Sequence, residues 1–192
     1  MVMSKVAMRR VARYLPEPPP RRTRRLPWRE VGFVAVCFGI RESPDRPEGV
    51  PLYGLVPVEH GRASLVGAIC GEDPAALALS LERRYVLAWR AARTAADLEA
   101  VLGGAANEWL RRTIDLTELL ARVADRSDGS VIAGSEGLSA AAAAFDVPLP
   151  PDGGVLDAAT TIAVLFLVAA TKLKALGFED TRSLVRGRIG PR

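Results

Sequence analysis

The chain has 192 residues, of which 49% are hydrophobic and 25% charged, and its formal net charge is +4. This length and composition suit one globular domain with an additional segment. The only two cysteines, Cys37 and Cys70, are far apart, which excludes a disulfide framework and the usual spacing of a zinc site. We therefore expect no cofactor, no bound metal and a reducing, cytoplasmic location.

The first 27 residues predict a basic arm rich in proline and arginine. Residues 1–30 contain nine lysines and arginines and two acidic residues, a net charge of +7, so residues 31–192 carry −3. The stretch PEPPP ends any preceding helix and favours an extended spacer, and RRTRR follows it. The arm residues predicted to contact a partner are Arg21, Arg22, Arg24 and Arg25.

Such an arm is typical of proteins that bind a negatively charged surface, whether nucleic acid, an acidic protein groove or anionic lipid. A disordered solubilising tail is the alternative. Because the arm lacks a long apolar run, it does not resemble a secretory signal. We expect residues 1–27 to become ordered only when a partner binds, and peripheral membrane contact through them stays open.

Beyond the arm, strand and helix patterns alternate, which predicts an α/β domain. We expect strands at residues 31–40, 51–58, 62–67, 84–89 and 111–115. We expect helices at residues 73–82, 91–102, 116–124, 138–145 and 155–176. Turns or loops are expected at residues 41–49, 125–130 and 148–154. Asp73 and Pro74 are a predicted cap and first residue of one helix, and Gly103 a predicted helix end.

The final helix contains an uncharged, mostly apolar run over residues 158–170. A membrane-spanning helix needs about 20 such residues. The run is shorter, contains Thr160 and Thr161, and is followed by Lys172 and Lys174. We therefore predict a buried core helix and no transmembrane segment.

The segment GGVLDAATTIAVLFL, residues 153–167, resembles the last motif of the DEDDh-type 3′–5′ exonucleases. In that superfamily the motif reads His-x-Ala-Leu-x-Asp-Ala and continues into an apolar helix. The alignment rests on Leu156, Ala159, Ala163, Leu165 and Phe166. It places Gly153 at the catalytic His and Ala158 at the catalytic Asp.

Other segments resemble the remaining motifs in the same order. The strand VGFVAVCFGI has Cys37 and Gly39 at the metal-binding Asp and Glu of the first motif, and Cys70 replaces a His in a later turn. YVLAWRAARTAADL resembles the second motif, whose His, Asn, Phe and Asp correspond to Trp89, Arg90, Arg93 and Thr94. Asp115 matches an Asp at the end of a later strand. The resemblance covers residues 28–186 and leaves a short basic tail at 187–192.

This resemblance implies a ribonuclease H-like exonuclease fold, with a central mixed sheet flanked by helices, that lacks its catalytic residues. Two-metal phosphodiester hydrolysis needs carboxylates to hold hard cations and a base to activate water. The residues at these positions supply neither the carboxylates nor the base. They are Cys37, Gly39, Thr94, Gly153 and Ala158. Asp157 is one residue from the expected position, which rotates a helical side chain by about 100°. Asp97 lies one turn after Thr94, yet it does not replace the strand carboxylates.

We therefore predict a pseudo-exonuclease and weigh two functions. In the first, the protein is a structural or accessory subunit that holds a protein partner through its arm and former cleft. In the second, it binds single-stranded nucleic acid, with Arg90 and Arg93 on phosphates and Trp89 stacked on a base. The net charge of −3 for residues 31–192 favours the first. Trp89 is equally explained as a side chain that fills the emptied cleft.

Overall fold

The sheet is built on a long antiparallel hairpin of β1 (Phe33–Ser43) and β2 (Arg46–Glu59). The computed structural model of the chain describes residues 26–44, 46–104, 109–124, 137–149 and 153–185. The chain reverses within the predicted turn at residues 41–49, but the turn is shorter than expected, because the ladder continues to the pair Ser43 and Arg46, with a register shift after Arg41. Proline is tolerated on a strand edge, and no described strand pairs with the second edge of β2 before Tyr53.

Four further strands complete a mixed six-stranded sheet in the order β3-β2-β1-β5-β6, with β4 also paired to β2. They are β3 (Arg62–Ala63), β4 (Ile69–Gly71), β5 (Tyr85–Ala88) and β6 (Thr113–Asp115). β5 runs parallel to β1, and β6 parallel to β5, whereas β3 and β4 are antiparallel to β2. The expected strand over residues 62–67 is thus reduced to two residues, and β4 was not predicted.

Helices cover both faces of the sheet, which confirms the α/β class and the mixed sheet flanked by helices. After the short turn η1 (Trp28–Glu30), they are α1 (Pro74–Leu81), α2 (Ala91–Leu102), α3 (Leu116–Ala124), α4 (Leu138–Ala144), α5 (Val155–Ala175) and α6 (Thr181–Val185). Along β1, Phe33, Ala35 and Cys37 pack on the α5 side, and Val34 and Val36 on the side of α1 and α2. This alternation is that of a strand buried on both faces.

Several local predictions are confirmed. The carboxylate of Asp73 accepts a hydrogen bond from Ala75 N at 2.9 Å and caps α1, whose first residue is Pro74. α2 ends before Gly103, which has a φ of 63°. The bounds of α3 agree with the expected 116–124. The predicted loop at residues 125–130 lies outside the described residues, as do residues 150–152.

The apolar helix α5 packs across β1 and β2, where Ala159, Ala163 and Phe166 are fully buried. Judged by length and composition alone it could cross a membrane, since it has 21 residues and a window of mean hydropathy 1.7. Its burial against the sheet accounts for that apolarity, as predicted for a core helix.

The entry of the chain into the domain is fixed by main-chain pairing. Pro27 forms a bridge with Asp180, and Leu26 O accepts hydrogen bonds from the N–H and hydroxyl of Thr181. Trp28, only 2% exposed, packs edge-on against Phe166 at 5.9 Å between ring centroids. Leu26 and Pro27 therefore belong to the packed domain, while residues 1–25 lie outside the described part of the chain.

Asp115, at the end of β6, joins the starts of two helices. Its Oδ1 accepts hydrogen bonds from the N–H of Thr117 at 2.9 Å and of Glu118 at 3.3 Å, which caps α3. Its Oδ2 accepts a bond from Ala91 N, the first residue of α2, at 2.7 Å. One carboxylate thus ties the chain after β5 to the chain after β6.

Replacing this carboxylate tests its structural role. We expect Asp115→Ala to lower the free energy of unfolding by roughly 2–3 kcal/mol, because it removes a helix cap and leaves Ala91 N–H without its acceptor. Asp115→Asn is the matched control: its amide oxygen can still cap α3, so its loss should be smaller. Urea unfolding of wild type and the two variants measures both losses of stability. Equal stability of Asp115→Ala and wild type would contradict the structural role of this carboxylate.

Candidate functional site

The positions that the resemblance aligns with the first catalytic motif lie on the α5 side of β1. Cys37 is half-buried there, and Gly39 follows two residues later on the same face. Across the sheet, Cys37 pairs with Gly54 of β2, which pairs in turn with Cys70 of β4. The start of α5 lies over this row of residues.

Two glycines form a seat for the first turn of α5. A Cβ atom on Gly39 would lie 2.6 Å from Cγ1 of Val155, and one on Gly54 would lie 2.3 Å from the main-chain oxygen of Val155. Real Cβ atoms do not approach other atoms so closely, so a side chain at Gly54 requires α5 to move and one at Gly39 requires the Val155 side chain to shift. Val155 therefore occupies the space that a Glu at position 39 would require.

The segment that resembles the last motif forms the start of α5. Gly153 has a φ of 62° and is exposed, and Gly154 caps α5 without a side-chain hydrogen bond. Ala158 is half-buried in the first turn, where its N–H donates to Gly154 O at 2.9 Å. The carboxylate of Asp157 lies beside Gly154, so this acid turns toward the start of its own helix.

The segment that resembles the second motif forms β5 and most of α2. Thr94 is buried, at 8% exposure, while Asp97, one turn later, is half-buried. Burial raises the pKa of the Cys37 thiol, the nearby charge of Asp97 raises this pKa further, and a backbone hydrogen bond of Phe38 lowers it. A thiol with this pKa stays protonated and neutral near pH 7. Gly39 thus lies against Val155, and the charge of Asp97 acts on Cys37 from α2.

Trp89, Arg90 and Arg93 do not share one environment. Trp89 is half-buried and packs against the core cluster on the α5 side. Arg90 and Arg93 are exposed at the start of α2. The packing of Trp89 favours the interpretation in which it fills the cleft, whereas the two arginines face solvent. Arg21, Arg22, Arg24 and Arg25 lie outside the described residues.

The chemistry of the donors does not suit a magnesium site. The positions that the resemblance aligns with the metal ligands hold the thiol of Cys37, Gly39, Thr94 and Ala158, whereas Mg²⁺ prefers several oxygen ligands. Within residues 26–44, 46–104, 109–124, 137–149 and 153–185, no three His, Cys, Asp or Glu side chains are grouped for metal binding. The exposed Cys70 and the sheet residue Cys37 are both free thiols.

A second surface feature lies at the outer edge of β2. A cavity of about 220 Å³ opens between β2, residues 64–69 and α1, and the ion pair between Arg84 and Glu59, at 2.7 Å, lies at its side. The neighbouring turn exposes Leu65 and Val66. Neither this turn nor the role of Gly54 was expected from the sequence. A glycine inside a strand often marks close approach of another backbone, and that signal was present in LYGLV.

In comparison with known proteins, the chain matches no family, and no significant similarity to a curated protein or to a solved structure is found.

The close contact of Gly39 and Gly54 with α5 predicts how a substitution at either glycine changes the stability of the protein. We expect Gly54→Ala to destabilise the protein by about 3 kcal/mol, because the new methyl group meets the main chain of α5, which cannot move alone. We expect Gly39→Ala to cost less, about 1–2 kcal/mol, because it meets a side chain. Thermal and urea unfolding measure both.

Val155→Ala supplies the matched control. Removing Cγ1 of Val155 should relieve Gly39→Ala but leave Gly54→Ala unchanged, since the latter clash is with main-chain atoms. A double-mutant cycle isolates the coupling between positions 39 and 155. If Val155→Ala restored the stability of both glycine variants equally, or of neither, the contacts assigned to Gly39 and Gly54 would be contradicted.

Proposed function

We propose that the protein is a non-catalytic member of the DEDDh-type exonuclease superfamily, with a ribonuclease H-like fold, and that it acts as an accessory subunit holding a protein partner. The observation that carries the proposal is the contact of Val155 with Gly39 and Gly54. It leaves no room for the strand carboxylate of the family at position 39. We infer a cytoplasmic location from the two free thiols.

Convergence of distant motifs supports the family relationship. Gly39 on β1 contacts the start of α5, which lies more than a hundred residues later in the sequence. The charge of Asp97 on α2 raises the pKa of the Cys37 thiol. These are the three segments that resemble the three catalytic motifs. The mixed sheet, with β5 parallel to β1 and covered by helices, is of the expected kind.

Nucleic-acid binding is the alternative function, and the exposed Arg90 and Arg93 favour it. Two other features weigh against it. Trp89 is half-buried in the α5-side core, which reduces the ring face available for stacking on a base. The net charge of −3 for residues 31–192 repels a polyanion. We therefore place a protein partner first.

The absence of catalysis is tested directly. We expect no degradation of labelled single-stranded DNA or RNA with Mg²⁺ or Mn²⁺, because the site has too few oxygen ligands to hold two metal ions. Asp97→Asn and Asp157→Asn are the controls for residual carboxylate chemistry. Metal-dependent shortening of the substrate that disappears in either variant would overturn the proposal, whereas shortening that persists in both identifies a contaminant.

The accessory role is tested by recovery of the tagged full-length protein from its native cells, with and without nuclease treatment. We expect a stoichiometric protein partner that survives nuclease, because a protein–protein interface does not depend on nucleic acid. A version starting at Leu26 reports the contribution of the arm, and we expect weaker recovery with unchanged domain stability. Recovery that collapses with nuclease would favour the nucleic-acid function instead.

A further inference from the structure

The cavity at the outer edge of β2 reaches from the surface to the core. Val34 and Leu55 line it and are fully buried, whereas Pro57 and Ile69 line it and are partly exposed. Its volume is about 220 Å³, below the range of roughly 300–1,000 Å³ that is typical of small-molecule sites. The cavity therefore suits a single apolar side chain better than a free ligand.

The turn that forms one wall of this cavity carries two exposed apolar side chains. Ser64 and Gly67 line the cavity, and between them Leu65 is exposed and Val66 is fully exposed. Hydrogen bonds hold the turn, from Ser64 N to Pro57 O at 2.8 Å and from Gly67 N to Ser64 Oγ at 3.4 Å. Because the turn is already held in place, little conformational freedom is lost when its tip is buried in a complex.

Exposed apolar side chains are concentrated around this cavity. In the part of the chain that the structure describes, eight large apolar side chains are exposed. Leu65, Val66 and Ile69 belong to the segment beside the cavity. Leu79 adjoins Ser80, which lines the cavity from α1. Half of the exposed apolar side chains therefore lie around one cavity, and such a patch marks an interaction surface.

Two features of this surface favour a second copy of the same chain as its partner. The surface carries both a protruding side chain, Val66, and a cavity that can receive it, and a two-fold dimer places one patch against the same patch of its copy. Its charges are also balanced, because Arg84 Nη2 and Glu59 Oε1 are paired at 2.7 Å beside the cavity. A surface without an excess of one charge does not repel its own copy.

We propose that the protein forms a two-fold dimer in which Val66 of each copy enters the cavity of the other. The paired surface consists of residues 64–69 and the end of α1, next to the outer edge of β2. Cys37 and Gly39 lie on the α5 side of the sheet, whereas the buried floor of the cavity belongs to the side of α1 and α2. The dimer therefore does not require the former cleft, and the inference does not rest on the proposed function.

The oligomeric state of the full chain tests this dimer. Sedimentation equilibrium should show a reversible, concentration-dependent dimer. Val66→Asp should raise the dissociation constant of the dimer by about a hundredfold, because two buried valine side chains are lost and each contributes about tenfold. Ile40→Asp is the matched control, since Ile40 is also an exposed aliphatic side chain but pairs with Pro51, outside the cavity. It should leave the dissociation constant unchanged.

Filling the cavity tests the other half of the contact. Ser80→Leu places a larger apolar side chain in the cavity from α1, so it should weaken the dimer without lowering the free energy of unfolding. A mixture of Ser80→Leu and Val66→Asp should form mixed dimers in preference to either variant alone. The mixed dimer keeps one intact contact, and the two defects coincide in the other contact. Native mass spectrometry measures the three species.

These measurements have outcomes that would overturn the proposal. A full chain that is monomeric at every soluble concentration rejects the dimer. A dimer that Val66→Asp leaves unchanged, or that Ile40→Asp weakens equally, rejects this surface as its interface. A mixture without preference for the mixed dimer rejects the insertion of Val66 into the cavity. Unfolding of each variant in urea shows that the domain is intact, so that loss of the dimer is not loss of the fold.

Discussion

The contact between the first turn of α5 and the sheet constrains the rest of this structure. Gly39 and Gly54 have no side chains, so Val155 lies directly on the strands. From this point α5 runs across β1 and β2 and buries the apolar surface that begins at Phe33. Close packing leaves little freedom here, because protein interiors have few voids and a single added methyl group is felt.

The same contact decides the chemistry of the site. Where the resemblance places two strand carboxylates, the chain has a neutral thiol at Cys37 and a glycine covered by Val155. The ring of Trp89, after β5, packs against the core cluster on the α5 side. In the proposed relationship, the missing metal ligands and the missing space reinforce each other. Arg90 and Arg93 stay exposed at the start of α2, which is consistent with the proposed binding role.

Local signals carried much of the fold prediction. Asp73 and Pro74 marked the start of α1, and Gly103 marked the end of α2, because caps and breakers act on neighbouring residues. The continuation of the hairpin past Arg41 was missed, since prolines that suggest a turn are also accepted on a strand edge. The seat at Gly54 and the bond from Ala91 to Asp115 depend on residues distant in sequence, which periodicity and capping rules do not reveal.

The central claim is that Val155 on its glycine seat replaces a metal-carboxylate centre. A crystal structure of the full chain grown with millimolar Mn²⁺, with anomalous scattering recorded for manganese, tests it most directly. The account predicts Val155 in contact with Gly39 and Gly54, and no manganese peak among Cys37, Asp97 and Asp157. Manganese bound there, with the start of α5 lifted from the two glycines, would contradict the account and restore an enzyme as the simplest interpretation.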